Sequence, residues 1–221
     1  MKIMKPIITI IMLALLLSGC FDSSFDTYMR KGKDALINND YNKAIENIDN
    51  ALIEEPTNKD AIALMKKAKE KKEKTENKKV IDDFTKDTEE MYKKLKSLGD
   101  GINTMVDNVT YEEALSKVEI LKPMNEKLVE LTPKWQDDKV VGSALSDLNS
   151  AYNNLNYTYS LIIENTEQPE PEIDDTDGDG KISRYEAIRG RKVQPRLAFA
   201  DFRQNMESYK NTITKLEENN Q

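Results

Sequence analysis

Histidine is absent from these 221 residues, and cysteine occurs once, at Cys20. The first absence removes the Ser-His-Asp triad, imidazole acid/base chemistry and every histidine-based zinc site. The second removes any disulfide within the chain. Glycine (8) and proline (7) are sparse and aromatics reach only 7%, a composition that suits helices better than a β-sandwich. A basic excess is lacking too: the formal charge is -7, so nucleic acid is not an expected partner. Charged residues make up 33% and hydrophobic ones 38%, enough for a thin, elongated core. The expected fold class is all-α.

The long apolar run is N-terminal. MKIMKPIITIIMLALLLSGC carries Lys2 and Lys5, then stays apolar from Ile7 to Leu17. That is the charged and hydrophobic order of a secretory signal peptide, and it is too short for a comfortable membrane span. Its end, Leu17-Ser18-Gly19-Cys20, resembles the lipobox of bacterial lipoproteins. The resemblance implies that residues 1–19 are removed and that the Cys20 thiol takes a diacylglycerol. The mature chain would then be anchored at the extracytoplasmic face of the cell membrane by acyl chains such as palmitate. Two chains hold stably where one binds marginally, so Cys20 reads as an anchor and not as a nucleophile. Loss of Lys2 and Lys5 takes the formal charge from -7 to -9.

Residues 20–79 form the next segment. YMRKGKDALINNDYNKAIENIDNALIEEP, residues 28–56, resembles one tetratricopeptide repeat. Tyr28 and Gly32 match in a first helix, Tyr41, Ala44, Ile48 and Ala51 in a second, and Pro56 closes the repeat; Lys31 and Ala35 stand where the family has leucine and tyrosine. The resemblance implies two closely approaching antiparallel helices. One repeat is too few for a peptide-gripping groove, so a structural hairpin is expected, with partner binding as the alternative. Residues 58–69 are expected to form the next helix and to cap the pair through Ile62 and Met65. KKAKEKKEKTENKK, residues 66–79, is expected to be a solvated helix or linker, with anionic wall polymer or lipid headgroups as alternative partners.

Residues 80–167 show a heptad rhythm. Ile81, Phe84, Thr88, Met91, Leu95, Leu98, Ile102, Met105 and Val109 step by three and four through Gly99-Asp100-Gly101 without losing phase, which predicts one long helix. Thr110-Tyr111-Glu112-Glu113 resembles a capping box opening a helix to about Leu131, kinked or split at Pro123. Thr132-Pro133 predicts another start. Val141, Leu145, Leu148, Tyr152, Leu155, Tyr159 and Ile162 form a second seam. Phe199, Phe202, Met206, Tyr209, Ile213 and Leu216, in a C-terminal helix over 196–221, form a third. Such stripes bury one another in an antiparallel helical bundle, or pair between chains as coiled coils.

Between the second and third seams, residues 168–195 hold the sequence DDTDGDGKISRYE. Counted from Asp175, acids fall at positions one, three, five and twelve, glycine at six and isoleucine at eight. This resembles the calcium-binding loop of an EF-hand. The resemblance implies one oxygen each from Asp175, Asp177 and Asp179, the backbone carbonyl of Lys181, a contact through water from Ser183, and two oxygens from Glu186. Gly180 would permit the bend and Ile182 would anchor the loop. Magnesium fits a bidentate glutamate poorly and zinc prefers nitrogen or sulfur, so Ca2+ is the expected ion. QPEPEI, residues 168–173, replaces an incoming helix, and no second such loop is present, which resembles lone extracellular calcium loops more than paired sensors.

Two function classes follow. One is a non-enzymatic, calcium-binding, lipid-anchored scaffold or binding module with an envelope protein or anionic wall polymer as partner. The alternative is a carboxylate-dependent surface hydrolase of cell-wall material.

Overall fold

The computed structural model describes residues 23–102, 106–167 and 193–220. Six α-helices account for nearly all of them, and no strand occurs among the described residues. They are α1 (Ser24–Ile37), α2 (Tyr41–Glu54), α3 (Lys59–Asp100), α4 (Tyr111–Trp135), α5 (Gly142–Glu167) and α6 (Val193–Asn219), with a 3-10 turn at Val106–Asn108 before α4. The described residues are all-helical, as the chain's scarcity of glycine and proline predicts. It divides into two compact units, the first ending at Glu76 and the second beginning at Asn77.

In the first unit, local chemistry sets each helix end. Ser23 caps α1 by accepting from the Asp26 amide at 3.0 Å. Asn39 then takes φ 57, a left-handed conformation that asparagine tolerates better than most residues, and the Tyr41 hydroxyl donates to its side chain at 2.9 Å. Asp40 caps α2 by accepting from the Lys43 amide. A three-residue connection between two capped helices returns the chain on itself, so α1 and α2 lie together as a hairpin. Their contact is close because Gly32 has no side chain. A Cβ there would come within 2.7 Å of Ile48 Cγ1. Asn58 starts α3 by accepting from the amides of Asp60 and Ala61, both at 3.1 Å. Met29, Leu36, Ala44, Ile48, Ala51, Ala61 and Ala68 form the core. Met65 packs against it as expected, but Ile62 is 49% exposed; Ala61, Leu64 and Ala68 turn inward in its place.

The second unit is a helical bundle with one continuous core drawn from α3 to α6. All seven residues of the second seam are buried, as are the third-seam residues Phe199, Phe202, Met206, Tyr209 and Ile213. Three boundaries differ from expectation. First, α3 stops at Asp100, where the Gly101 amide bonds the Ser97 carbonyl and the Ile102 amide bonds the Gly99 carbonyl. Beyond that stop Ile102 of the rhythm is still buried, Val109 is partly buried, Met105 lies outside the described residues, and Val106, which is not a member of the rhythm, fills the core beside them. Second, α4 runs unbroken past Leu131 with Pro123 and Pro133 inside it. The Thr132 hydroxyl donates back to the Leu128 carbonyl at 2.7 Å, and burial of Trp135 one turn further on offsets the missing amide. Third, α5 starts after Asp138, not at Thr132: the Asp138 carboxylate accepts from the amides of Val140 and Val141 at 2.8 and 3.1 Å. The capping box at Thr110 and Glu113 is present in both directions.

Candidate functional site

Cys20 and all six residues expected to bind calcium, Asp175, Asp177, Asp179, Lys181, Ser183 and Glu186, lie outside the described residues. The structure describes what stands on either side of the loop. α5 ends at Glu167 and α6 begins at Val193, and these two helices pack along each other. Pro195 falls in the first turn of α6, where its missing amide costs nothing, and it is buried together with Ala198, Phe199 and Phe202.

The first turns of α6 dock on the end of α3 through a notch. Phe202 lies against Gly99 so closely that a Cβ on the glycine would sit 2.3 Å from the ring. Phe199 stacks on Phe202 with centroids 5.6 Å apart. Opposite them the Tyr159 hydroxyl reaches the Leu98 carbonyl at 3.3 Å, and burial pushes that phenol up to about 12. Two turns along α6, the Tyr209 hydroxyl meets Thr88 Oγ1 at 2.7 Å while its ring stacks on Tyr92 at 5.1 Å. Burial raises the Tyr209 phenol as well, against the lowering effect of the Thr88 bond. These phenols stay protonated at neutral pH; Tyr159 ties α5 to α3 and Tyr209 ties α6 to α3.

Beside the notch runs an open groove of about 560 Å³. Tyr92, Phe199, Phe202 and Met206 form its apolar floor, and Lys96, Asp100, Arg203, Glu207 and Lys210 form its rim. Lys96 is already bound to Asp100. The sequence places Phe199, Phe202 and Met206 in a seam but neither Tyr92 nor the groove, because which residue borders an open edge depends on neighbouring helices far away in the chain. The charged spacing Arg203, Glu207, Lys210 is the one local trace of a helix flank that stays in solvent.

On the other side of α3, Asp87 receives the Lys134 ammonium at 2.6 Å and the Trp135 indole N–H at 3.0 Å. The Lys134 bond holds the Asp87 carboxyl below its ordinary range, burial opposes it, and the indole bond adds to the lowering. Asp40 and Glu90 are lowered too, each first by a lysine hydrogen bond. A general acid needs the opposite shift. Among the described residues no cluster of three or more acidic or cysteine side chains could hold a metal ion. No described helix is long and apolar enough to cross a membrane.

No family model, curated protein or solved structure matches this chain.

Proposed function

We propose that this chain is a calcium-binding, lipid-anchored lipoprotein of the extracytoplasmic membrane face, acting as a non-enzymatic scaffold or binding module. The observation that carries the reading is the complete ligand spacing from Asp175 to Glu186, set between two helices that pack on each other. On this reading Cys20 holds the membrane through its acyl chains. α1 and α2 make a tetratricopeptide-like hairpin, and α3 to α6 make an antiparallel, up-and-down bundle. Opposed contact order supports that topology: Thr88 meets Tyr209 while Gly99 meets Phe202, and Asp147 accepts from Ser208.

Calcium in the loop would shorten the freedom of the 25-residue connection, residues 168–192, and so fix where α6 begins. Without the ion, clustered carboxylates repel and the docking of Phe199 and Phe202 weakens. A site of the extracellular kind binds with Kd on the order of 10⁻⁴ to 10⁻³ M, matched to plentiful external calcium. Calorimetric titration with calcium should show one such site, lost in Glu186→Gln. The wild-type melting midpoint should be higher in calcium than in chelator. Equal midpoints would remove calcium from the structural role assigned to it.

A further inference from the structure

On α3, lysine recurs at positions 67, 71 and 74. Steps of four and three keep their ammonium groups on one flank of an α-helix, along a row of about 10 Å. All three residues are exposed. The hairpin core takes a different flank, with Ala61, Leu64, Met65 and Ala68. Off the row, Glu70 and Glu76 draw Lys66 and Lys72 into ion pairs at 3.7 and 3.8 Å. Lys67 and Lys71 make no ion pair with another described residue. In a chain of formal charge -7, residues 66–74 hold six lysines and two glutamates.

We infer that the Lys67, Lys71 and Lys74 flank of the first unit rests on an anionic lipid surface. A straight row of charges on a rigid helix meets a plane at every point at once. A flexible polyanion would have to be ordered to do the same, at an entropic cost. The inference rests on the reading of Cys20 as the anchor for one thing alone, the nearness of the bilayer. Ser24 opens α1 four residues after Cys20, at most about 14 Å of extended chain. Attraction to anionic headgroups acts within a Debye length, so the tether serves by holding the first unit at the surface, where the row can meet it.

The test is co-sedimentation of the full chain carrying Cys20→Ser with vesicles of phosphatidylglycerol and phosphatidylcholine, or of phosphatidylcholine alone. Any binding through residues 1–19, Lys2 and Lys5 included, is common to the parent and the triple variant and cancels in their comparison. The expected result is preference for the anionic vesicles, reduced on the order of a hundredfold by the triple change Lys67→Gln, Lys71→Gln, Lys74→Gln and weakened by salt. Glutamine keeps helix propensity, and an unchanged helical circular dichroism spectrum confirms the fold. Equal binding to both vesicles, or a triple variant that binds like the parent, overturns the inference. Tighter binding to soluble poly(glycerol phosphate) than to vesicles overturns it in favour of a wall polymer. The anchor is tested apart, by incorporation of labelled palmitate into the wild-type chain and its loss in Cys20→Ala; failure there leaves the vesicle result standing.

Discussion

The two units solve helix packing in opposite ways. The hairpin brings backbones together by removing side chains: Ala44, Ala51, Ala61 and Ala68 are fully buried, and Gly32 sits against Ile48. The bundle fills its core chiefly with large side chains, with Phe84, Leu95, Leu121, Leu148, Leu155 and Tyr159 buried almost completely. A buried leucine or phenylalanine contributes about 1.5–3 kcal/mol from apolar burial, and an alanine far less. Close packing of small residues therefore makes a well-defined hairpin with a thin margin, and filling by large ones makes a bundle with reserve. Amide exchange should be slowest in α3 beyond Asn77 and in α5, and faster in α1 and α2.

That contrast can be broken most strongly at Phe202. Phe202→Ala should cost about 3–5 kcal/mol in chemical unfolding of the bundle, the range for truncating a buried aromatic. The same residue supplies a finer comparison between the units. Gly99→Ala and Gly32→Ala each add a methyl where there is no room, at 2.3 Å from the Phe202 ring and 2.7 Å from Ile48 Cγ1. Overpacking costs about 1–3 kcal/mol, and the better helix propensity of alanine returns up to about 1. Both variants should be destabilised on balance. Phe202→Leu should rescue part of the Gly99→Ala loss and none of the Gly32→Ala loss, which a double-mutant cycle would measure as coupling at the first pair only. Rescue of both would mean that the notch is not the cause.

How much of this was legible in the sequence follows the range of the interactions. Seams were legible because a period of three and four is local, and their described members are buried except Val109 and Leu216, which are partly buried. Thr110 and Glu113 were legible because a capping box is closed within four residues. Thr132-Pro133 misled because the same two residues that start a helix can also sit inside one. The deciding contact, Trp135 with Asp87, spans 48 positions and leaves no local trace. The role of Gly99 was not legible for the same reason, since its partner Phe202 is on another helix. Thr88 is a polar residue in an apolar seam, and only the Tyr209 hydroxyl across the bundle, together with the Phe84 carbonyl, makes it at home there. The calcium loop is the reverse case: all of its legibility lies in one short stretch of sequence, and it lies outside the described residues.

The smallest expected effect is also the one that a single chromophore reads. Trp135 is the sole tryptophan; its ring meets Phe84 edge-on at 5.7 Å, with Lys134 Nζ 4.5 Å from its centroid. Asp87 joins these groups, and its carboxyl is held below the ordinary value of 3.8, first by the Lys134 bond. A folded-state shift in that direction stabilises the protein above the unfolded value, and the contribution disappears as pH falls through the lower, folded one. Lys134 is 54% exposed at its side chain, so solvent screening keeps the gain to about 1 kcal/mol or less. Below pH 3.8, Trp135 emission should therefore change as Asp87 takes up a proton and Lys134 loses its anion. Asp87→Asn keeps an oxygen for the indole but nothing to titrate, so it should remove that step while leaving the neutral-pH spectrum nearly unchanged. A step of equal size in the variant would assign the acid response to another carboxylate, and would leave the α3–α4 contact to apolar packing, Phe84 on Trp135 included.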